Sequence, residues 1–202
     1  YENGRGLRRD EKKAVEWYRK AAEQGNLYAQ TNLGWMYESG SGVDKDETKA
    51  AEWYRRAAEQ GHARAQTNLA WLYQNGLGVP QSDEEAVEWY TVAAEQGDPR
   101  AQTNIGWMYE KGRGVPQDDK EAAEWYRLAA EQGYATAQSN LGWMYLNGRG
   151  VAQSDKEAFK WFSLAADQGN ASAQSNLGWI YENGKGTEKD MQQALEWYRK
   201  AA

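Results

Sequence analysis

The 202-residue chain has no Cys, one His, three Pro and two Phe. Without Cys there are no disulfides and no thiolate chemistry, and the redox compartment stays unread. A single histidine, His62, leaves little from which to build a nucleophile–base pair, and for a metal only carboxylates remain beside it. No run approaches the roughly 18 apolar residues of a spanning helix, so no membrane insertion is expected, and the opening residues lead us to expect no signal peptide. Lys and Arg number 24 against 30 Asp and Glu, a net charge of −6 with pI near 5.0. Phosphate neutralisation needs clustered positive charge, so no nucleic-acid partner is expected either. Mean hydropathy is −1.01, low enough for a disordered chain. Disordered chains lack aromatics, however, and this one carries 11 Trp and 13 Tyr. A core must therefore come mainly from Trp, Tyr and Ala.

What is abundant is also periodic. Gly25, Gly61, Gly97, Gly133 and Gly169 fall 36 residues apart, as do Ala-Gln pairs beginning at Ala29, Ala65, Ala101, Ala137 and Ala173. Trp35, Trp71, Trp107, Trp143 and Trp179 form one tryptophan row; Trp17, Trp53, Trp89, Trp125, Trp161 and Trp197 form a second, and the two hold all 11. Residues 1–202 thus read as one array of five full periods and a partial copy. Tyr1 aligns with Tyr37 and Ala202 with Ala22, so both ends are expected to be cut inside a repeat.

Each copy carries two helical patterns. Between Asp46 and Gln60, apolar residues stand at Ala50, Trp53, Tyr54, Ala57 and Ala58, the spacing of one buried helical face. Glu52 and Arg56, four apart, point the other way as an expected ion pair. Ser82 with Glu85, Ser154 with Glu157 and Asp118 with Glu121 mark helix starts. The glycine after Glu-Gln marks the stop. The second pattern, Leu27 to Ser39, places Ala29, Leu33, Met36 and Tyr37 on one face, and Asp98-Pro99 opens its third copy as cap and first-turn proline. Helix pairs with one apolar face each bury a core only by stacking, which predicts an all-α fold, an α-solenoid.

The run Ala101-Gln102-Thr103-Asn104-Ile105-Gly106-Trp107-Met108-Tyr109, followed by Gly112-Arg113-Gly114-Val115, Ala122-Ala123-Glu124-Trp125-Tyr126 and Ala129-Ala130-Glu131-Gln132-Gly133, closely resembles the Sel-1-like repeat, a relative of the tetratricopeptide repeats. The resemblance recurs along the whole chain. Departures are Ala70 for glycine, Thr187-Glu188 for Val-Pro and Phe162 for tyrosine. The resemblance implies antiparallel helix pairs in a right-handed superhelix and a binding scaffold, with the Leu27–Ser39 type of helix lining a concave groove.

On a helical wheel stepping roughly 100° per residue, Trp35 falls opposite the Ala29 stripe together with Tyr28, Thr31, Asn32 and Ser39. The tryptophans 35, 71, 107, 143 and 179 should therefore form a ladder, beside asparagines 32, 68, 104, 140 and 176 and hydroxyls 31, 67, 103, 139 and 175. Indole faces suit a binding platform, and asparagine amides can pair with the backbone of an extended peptide. The same tryptophans can equally be filler between neighbouring helices, and both readings stand here. The candidate peptide-binding residues are Trp35, Trp71, Trp107, Trp143, Trp179, Asn68, Asn104 and Asn140, with Arg64, Arg100 and Lys111 as cations able to receive an acidic group. The second tryptophan row lies on the core stripe and is read as structural.

Arg5, Arg113, Arg149 and Lys185 each stand between two glycines. A backbone nest with a cation can hold an anion, although a turn between helices explains the pattern as well. His62 takes the place of Asn26, Asp98 and Asn170 at a helix start and reads as a cap or loop residue. Some relatives bear a β-lactamase label, but Ser-x-x-Lys, Ser-Asp-Asn and Lys-Thr-Gly are absent here. The expectation is a non-enzyme with no catalytic residues, no metal and no cofactor, whose partner is a protein or peptide. Two alternatives are carbohydrate binding, with Glu38, Glu110 and Glu182 beside the tryptophans, and a structural spacer or regulatory arm of a larger protein. Unpaired apolar helix faces at the ends also make end-to-end self-association a candidate property.

Overall fold

The structure is a computed structural model that describes residues 10–202; Tyr1 and Arg5 lie outside the described residues. Eleven helices are found among them: α1 Glu11–Glu23, α2 Leu27–Ser39, α3 Glu47–Ala58, α4 Ala63–Asn75, α5 Asp83–Glu95, α6 Pro99–Lys111, α7 Asp119–Glu131, α8 Ala135–Asn147, α9 Asp155–Asp167, α10 Ala171–Asn183 and α11 Met191–Ala201. No strand occurs among the described residues. They fall into two compact units, one ending at Asp98 and one running from Pro99 to Ala202, and each is described by itself. Within a unit each helix packs on the next in sequence, as an α-solenoid of helix pairs does. The even-numbered helices, which carry Trp35 and its equivalents, are called A helices below, and the odd-numbered ones B helices.

The helix ends are set by local chemistry. The carboxylate of Asp46 accepts from the Lys49 amide at 3.0 Å, Ser82 Oγ from Glu85 at 3.1 Å and Ser154 Oγ from Glu157 at 3.2 Å, each relieving one of the donors a helix start leaves unpaired. At the end of α1 the Gly25 amide donates to the Ala22 carbonyl and Asn26 to Ala21, a closure that needs the positive φ of 88° at Gly25. Pro99 opens α6 as the sequence indicated.

Core packing follows the two stripes. Ala29, Leu33, Met36 and Tyr37 are buried on α2, and Ala50, Tyr54, Ala57 and Ala58 on α3. The tyrosine ring lies directly on the backbone of the facing A helix. A Cβ at Gly34 would stand 2.7 Å from the Tyr54 ring, and one at Gly142 would stand 3.0 Å from Phe162, so glycine permits the close approach. Apart from Trp161, the second tryptophan row sits at the margin of this core rather than within it. Trp53 and Trp89 are half-buried and pack against it, Trp161 is buried, and Trp17 is 57% exposed. Cations cover several outer faces: Lys20 lies 4.8 Å from the Trp17 ring centre and Arg56 4.4 Å from that of Trp53. Arg56 and Glu52 are both exposed, as the sequence indicated, and Arg56 reaches the indole.

The Ala-Gln pair has a role that periodicity alone did not reveal. The buried Gln30 amide donates to the Ala22 carbonyl in the last turn of α1, while its own oxygen accepts from Gln60 at the end of α3. The same arrangement links Ala58, Gln66 and Gln96, and in the second unit Ala130, Gln138 and Gln168. One side chain thus ties the ends of two successive B helices to the A helix between them. Leaving such a buried amide unpaired costs about 1–3 kcal/mol.

Candidate functional site

On the A helices, residues of one arc stay accessible while the remainder pack. Trp35, Trp71, Trp143 and Trp179 are 39%, 40%, 37% and 41% exposed, and Trp107 is half-buried. Each indole therefore both packs and presents a surface. In the second unit the Gly-x-Gly cations reach this row: Arg113 lies 5.3 Å from the Trp107 ring centre and Arg149 5.2 Å from that of Trp143. Arg149 is also held by Asp119 at the start of α7, through Nε at 2.9 Å and a terminal nitrogen at 2.5 Å. This bidentate contact raises the arginine's pKa above its ordinary value. The loop cation is a clamp between a carboxylate and an indole, which argues against the anion-nest reading. Gly150, with φ 67°, allows it, because a Cβ there would collide with the Asp119 carbonyl oxygen.

The asparagines Asn68, Asn104 and Asn140 are half-buried beside the tryptophans. Asn68 lies close enough to the Tyr54 hydroxyl, and Asn140 to that of Tyr126, to influence their ionisation. The hydroxyls in turn donate to Glu38 at 2.6 Å and Glu110 at 2.9 Å. Burial first, and then the carboxylate, push both phenols far above their ordinary pKa. In these copies a ligand would therefore share the Asn68 and Asn140 amides with a tyrosine hydroxyl standing beside them.

The chain contains its own variation on this relay. Gln74 replaces the glutamate and accepts from Tyr90 at 2.9 Å, and Glu182 accepts from Tyr198 at 2.8 Å. In the copy where Phe162 replaces tyrosine, the acceptor position holds Leu146. Donor and acceptor have been lost together, as expected if an unpaired buried hydroxyl or carboxylate is costly. The sixteen-residue spacing of these pairs was available in the sequence, but nothing in helical periodicity assigns it a partner.

Several expected contacts are corrected. Most of the hydroxyl row is not part of the accessible face: Thr31, Thr67, Thr103 and Ser139 are 2–7% exposed, and the three threonines donate to carbonyls four residues back, while Ser175 alone of the row is exposed. Lys111 does not wait for an acidic ligand, since its ammonium pairs with Glu110 at 2.6 Å. Arg64 is exposed at the start of α4, and Arg100 is half-buried in the first turn of α6. Glu38, Glu110 and Glu182, the carboxylates on which sugar binding would rely, all accept from tyrosines. His62 occupies the N-cap position of α4 without a capping side-chain bond; its Nδ1 lies 2.8 Å from Thr31 Oγ1 and its ring meets Tyr28 edge-on at 5.0 Å. Because Thr31 gives its proton to the Leu27 carbonyl, this contact assigns the donor role to Nδ1–H. Burial, then Arg64, lowers the histidine's pKa.

Among the described residues no three or more His, Asp or Glu side chains gather as a metal site, and no helix is long and apolar enough to cross a membrane. A pocket of about 360 Å³ opens between Trp143 and Trp179 in the second unit.

The comparisons agree with this architecture. The Sel1 repeat matches residues 1–26, 27–62, 63–98, 99–134, 135–170 and 171–202. The crystal structure of a protective antigen present in uropathogenic Escherichia coli strains, which displays the same repeat fold, is similar over 100% of this chain at 43% identity and TM-score 0.90. The chain spans 43% of that protein. A Sel1 repeat protein from Oxalobacter formigenes matches 100% of the chain and 81% of its own length, with 38% identity and TM-score 0.92. An immunity protein from Pseudomonas aeruginosa matches 93% of the chain and 72% of its own length at 25% identity, with TM-score 0.63. No curated protein is matched by this chain. Sel1 repeats generally serve as protein-interaction scaffolds and are typically non-catalytic. Six tandem matches and two repeat-fold relatives leave one conclusion: the chain belongs to the Sel1 repeat family.

Proposed function

We propose that the chain is a non-catalytic scaffold that takes an extended peptide or protein segment along the tryptophan-bearing faces of its A helices. The tryptophans supply the contact surface, Asn68, Asn104 and Asn140 the hydrogen bonds, and Arg64 and Arg100 charge beside them. The observation that supports this is the exposure of Trp35, Trp71, Trp143 and Trp179, at 37–41%, on helices whose opposite face is largely buried. Half-held indoles combine large apolar area with little rotamer freedom left to lose, the character of binding hot spots. The general role of Sel1 repeats as protein-interaction scaffolds agrees with it. Residues 1–202 act in this reading as one continuous series of repeat copies.

The test is affinity capture from the source lysate, comparing the chain with a Trp107→Ala/Trp143→Ala variant whose helicity and hydrodynamic radius are unchanged. Partners lost selectively from the variant support the reading and identify the ligand. Identical partners on both proteins place binding elsewhere and reduce the tryptophan row to packing.

A further inference from the structure

The second unit repeats one local arrangement with a systematic change of character. Around Trp107 and Trp143 stand Glu110, Lys111 and Arg149, all charged, with Tyr126 between Glu110 and Asn140. One copy later, around Trp143 and Trp179, Leu146 replaces the glutamate, Asn147 the lysine and Phe162 the tyrosine. The result is the pocket of about 360 Å³ whose walls include Trp143, Trp179, Leu146 and Asn176, with Asp155 and Lys185 at its edge.

We propose that this pocket is a subsite for an uncharged, apolar side chain of an extended peptide, with Asn176 hydrogen-bonding the peptide backbone beside it. The proposal rests on the binding reading above and adds to it a specificity that differs between copies. Charge is the first argument. The one ion pair in the lining, Lys185 with Asp155 at 3.4 Å, is closed on itself, so the walls carry no net charge. A cationic guest would meet Lys185, and it would find Trp143 already covered by Arg149. An anionic guest would have to draw Lys185 away from Asp155, whose other carboxylate oxygen is buried without a partner. Either charge would lose water against indole and leucine with nothing to replace it. An apolar group loses nothing there and gains contact with two indoles.

Asn176 is the second argument. Asn68 and Asn140 each stand beside a tyrosine hydroxyl that competes for their polar groups. Phe162 brings no such hydroxyl to Asn176, so in this copy the half-buried amide has both donor and acceptor for the paired hydrogen bonds of an extended backbone. The paired replacement thus puts Leu146 in the pocket wall and leaves the polar group beside it without a neighbouring hydroxyl.

The test uses three capped amino acids, N-acetyl-leucine, N-acetyl-arginine and N-acetyl-glutamate methylamides, titrated while the indole N–H resonances of all tryptophans are followed by NMR. The expected result is a saturable shift of Trp143 and Trp179 with the leucine probe, and affinities about tenfold weaker for both charged probes. The Leu146→Glu/Phe162→Tyr variant carries the residues of the preceding copy, whose fold is intact, and is expected to lose the leucine response by a similar factor. Equal responses to all three probes, shifts confined to other tryptophans, no response, or a response unchanged in the variant would each overturn the proposal. Because the probes are single residues, the outcome is independent of peptide capture. A leucine response without capture retains the pocket and removes the extended-peptide reading, whereas capture without a leucine response removes the pocket alone.

Discussion

The hydroxyl of Tyr126 donates to the carboxylate of Glu110, sixteen residues earlier, at 2.9 Å, with both groups almost withdrawn from water. Tyr126→Phe leaves Glu110 short of a donor, and Glu110→Leu leaves the hydroxyl short of an acceptor. Each single change is expected to cost about 1–3 kcal/mol in urea denaturation, and the double change clearly less than their sum. Leu146 and Phe162 already realise that double change one copy later. Additive losses would show that the two residues act independently.

Lys185 stands where the preceding copy has Arg149, and it reaches Asp155 with a single contact at 3.4 Å. The arginine instead holds both oxygens of Asp119. Lys185→Arg is expected to satisfy the orphaned Asp155 oxygen and raise the melting temperature, by a stabilisation of no more than about 1 kcal/mol because the site is partly open to solvent. Arg149→Lys should lower it. A melting temperature unmoved by both would mean that the second contact carries no stability.

Burial and Arg64 hold the pKa of His62 below the usual 6.5. An unfolded chain then binds a proton more readily than the folded one as pH falls below about 6.5, so protonation favours unfolding. The native protein should lose stability relative to a His62→Asn variant between neutral pH and pH 5, and the difference should be constant above pH 7.5. Asn26 and Asn170 cap at the equivalent positions, so the variant is expected to fold. Parallel pH profiles for the two proteins would refute the assignment.

Leu195 on α11 is 49% exposed and Tyr198 36%, although the equivalent Phe162 is fully buried. That apolar face is expected to drive self-association of the 202-residue chain at high concentration. Sedimentation velocity should show association that weakens with Leu195→Glu. A monomer at every concentration would exclude it.

Much of the fold was legible because its signals are local. Ala29, Leu33, Met36 and Tyr37 share one wheel stripe, and Gly25 ends a helix through its own backbone. The candidate surface was less so. A wheel drawn for one partner leaves Thr31 opposite the core, whereas Thr31 meets His62, thirty-one residues later, at the start of the next A helix. Lys111 looked available because neither its charge nor its spacing reveals that the adjacent Glu110 turns back to meet it. The glutamine clamps and tyrosine relays likewise join residues whose partners sit in other helices, at separations of 8, 16 and 30.

The clamp of Gln138, donating to the Ala130 carbonyl and accepting from Gln168, bears on how such chains change length over generations. A small insertion or deletion between the clamp's three members shifts one of them off its partner and strands a buried amide or carbonyl. Adding or removing a whole 36-residue copy keeps every clamp intact. Whole-copy gain or loss is therefore the length change this packing tolerates, while substitutions such as Leu146 and Phe162 change what a single copy presents.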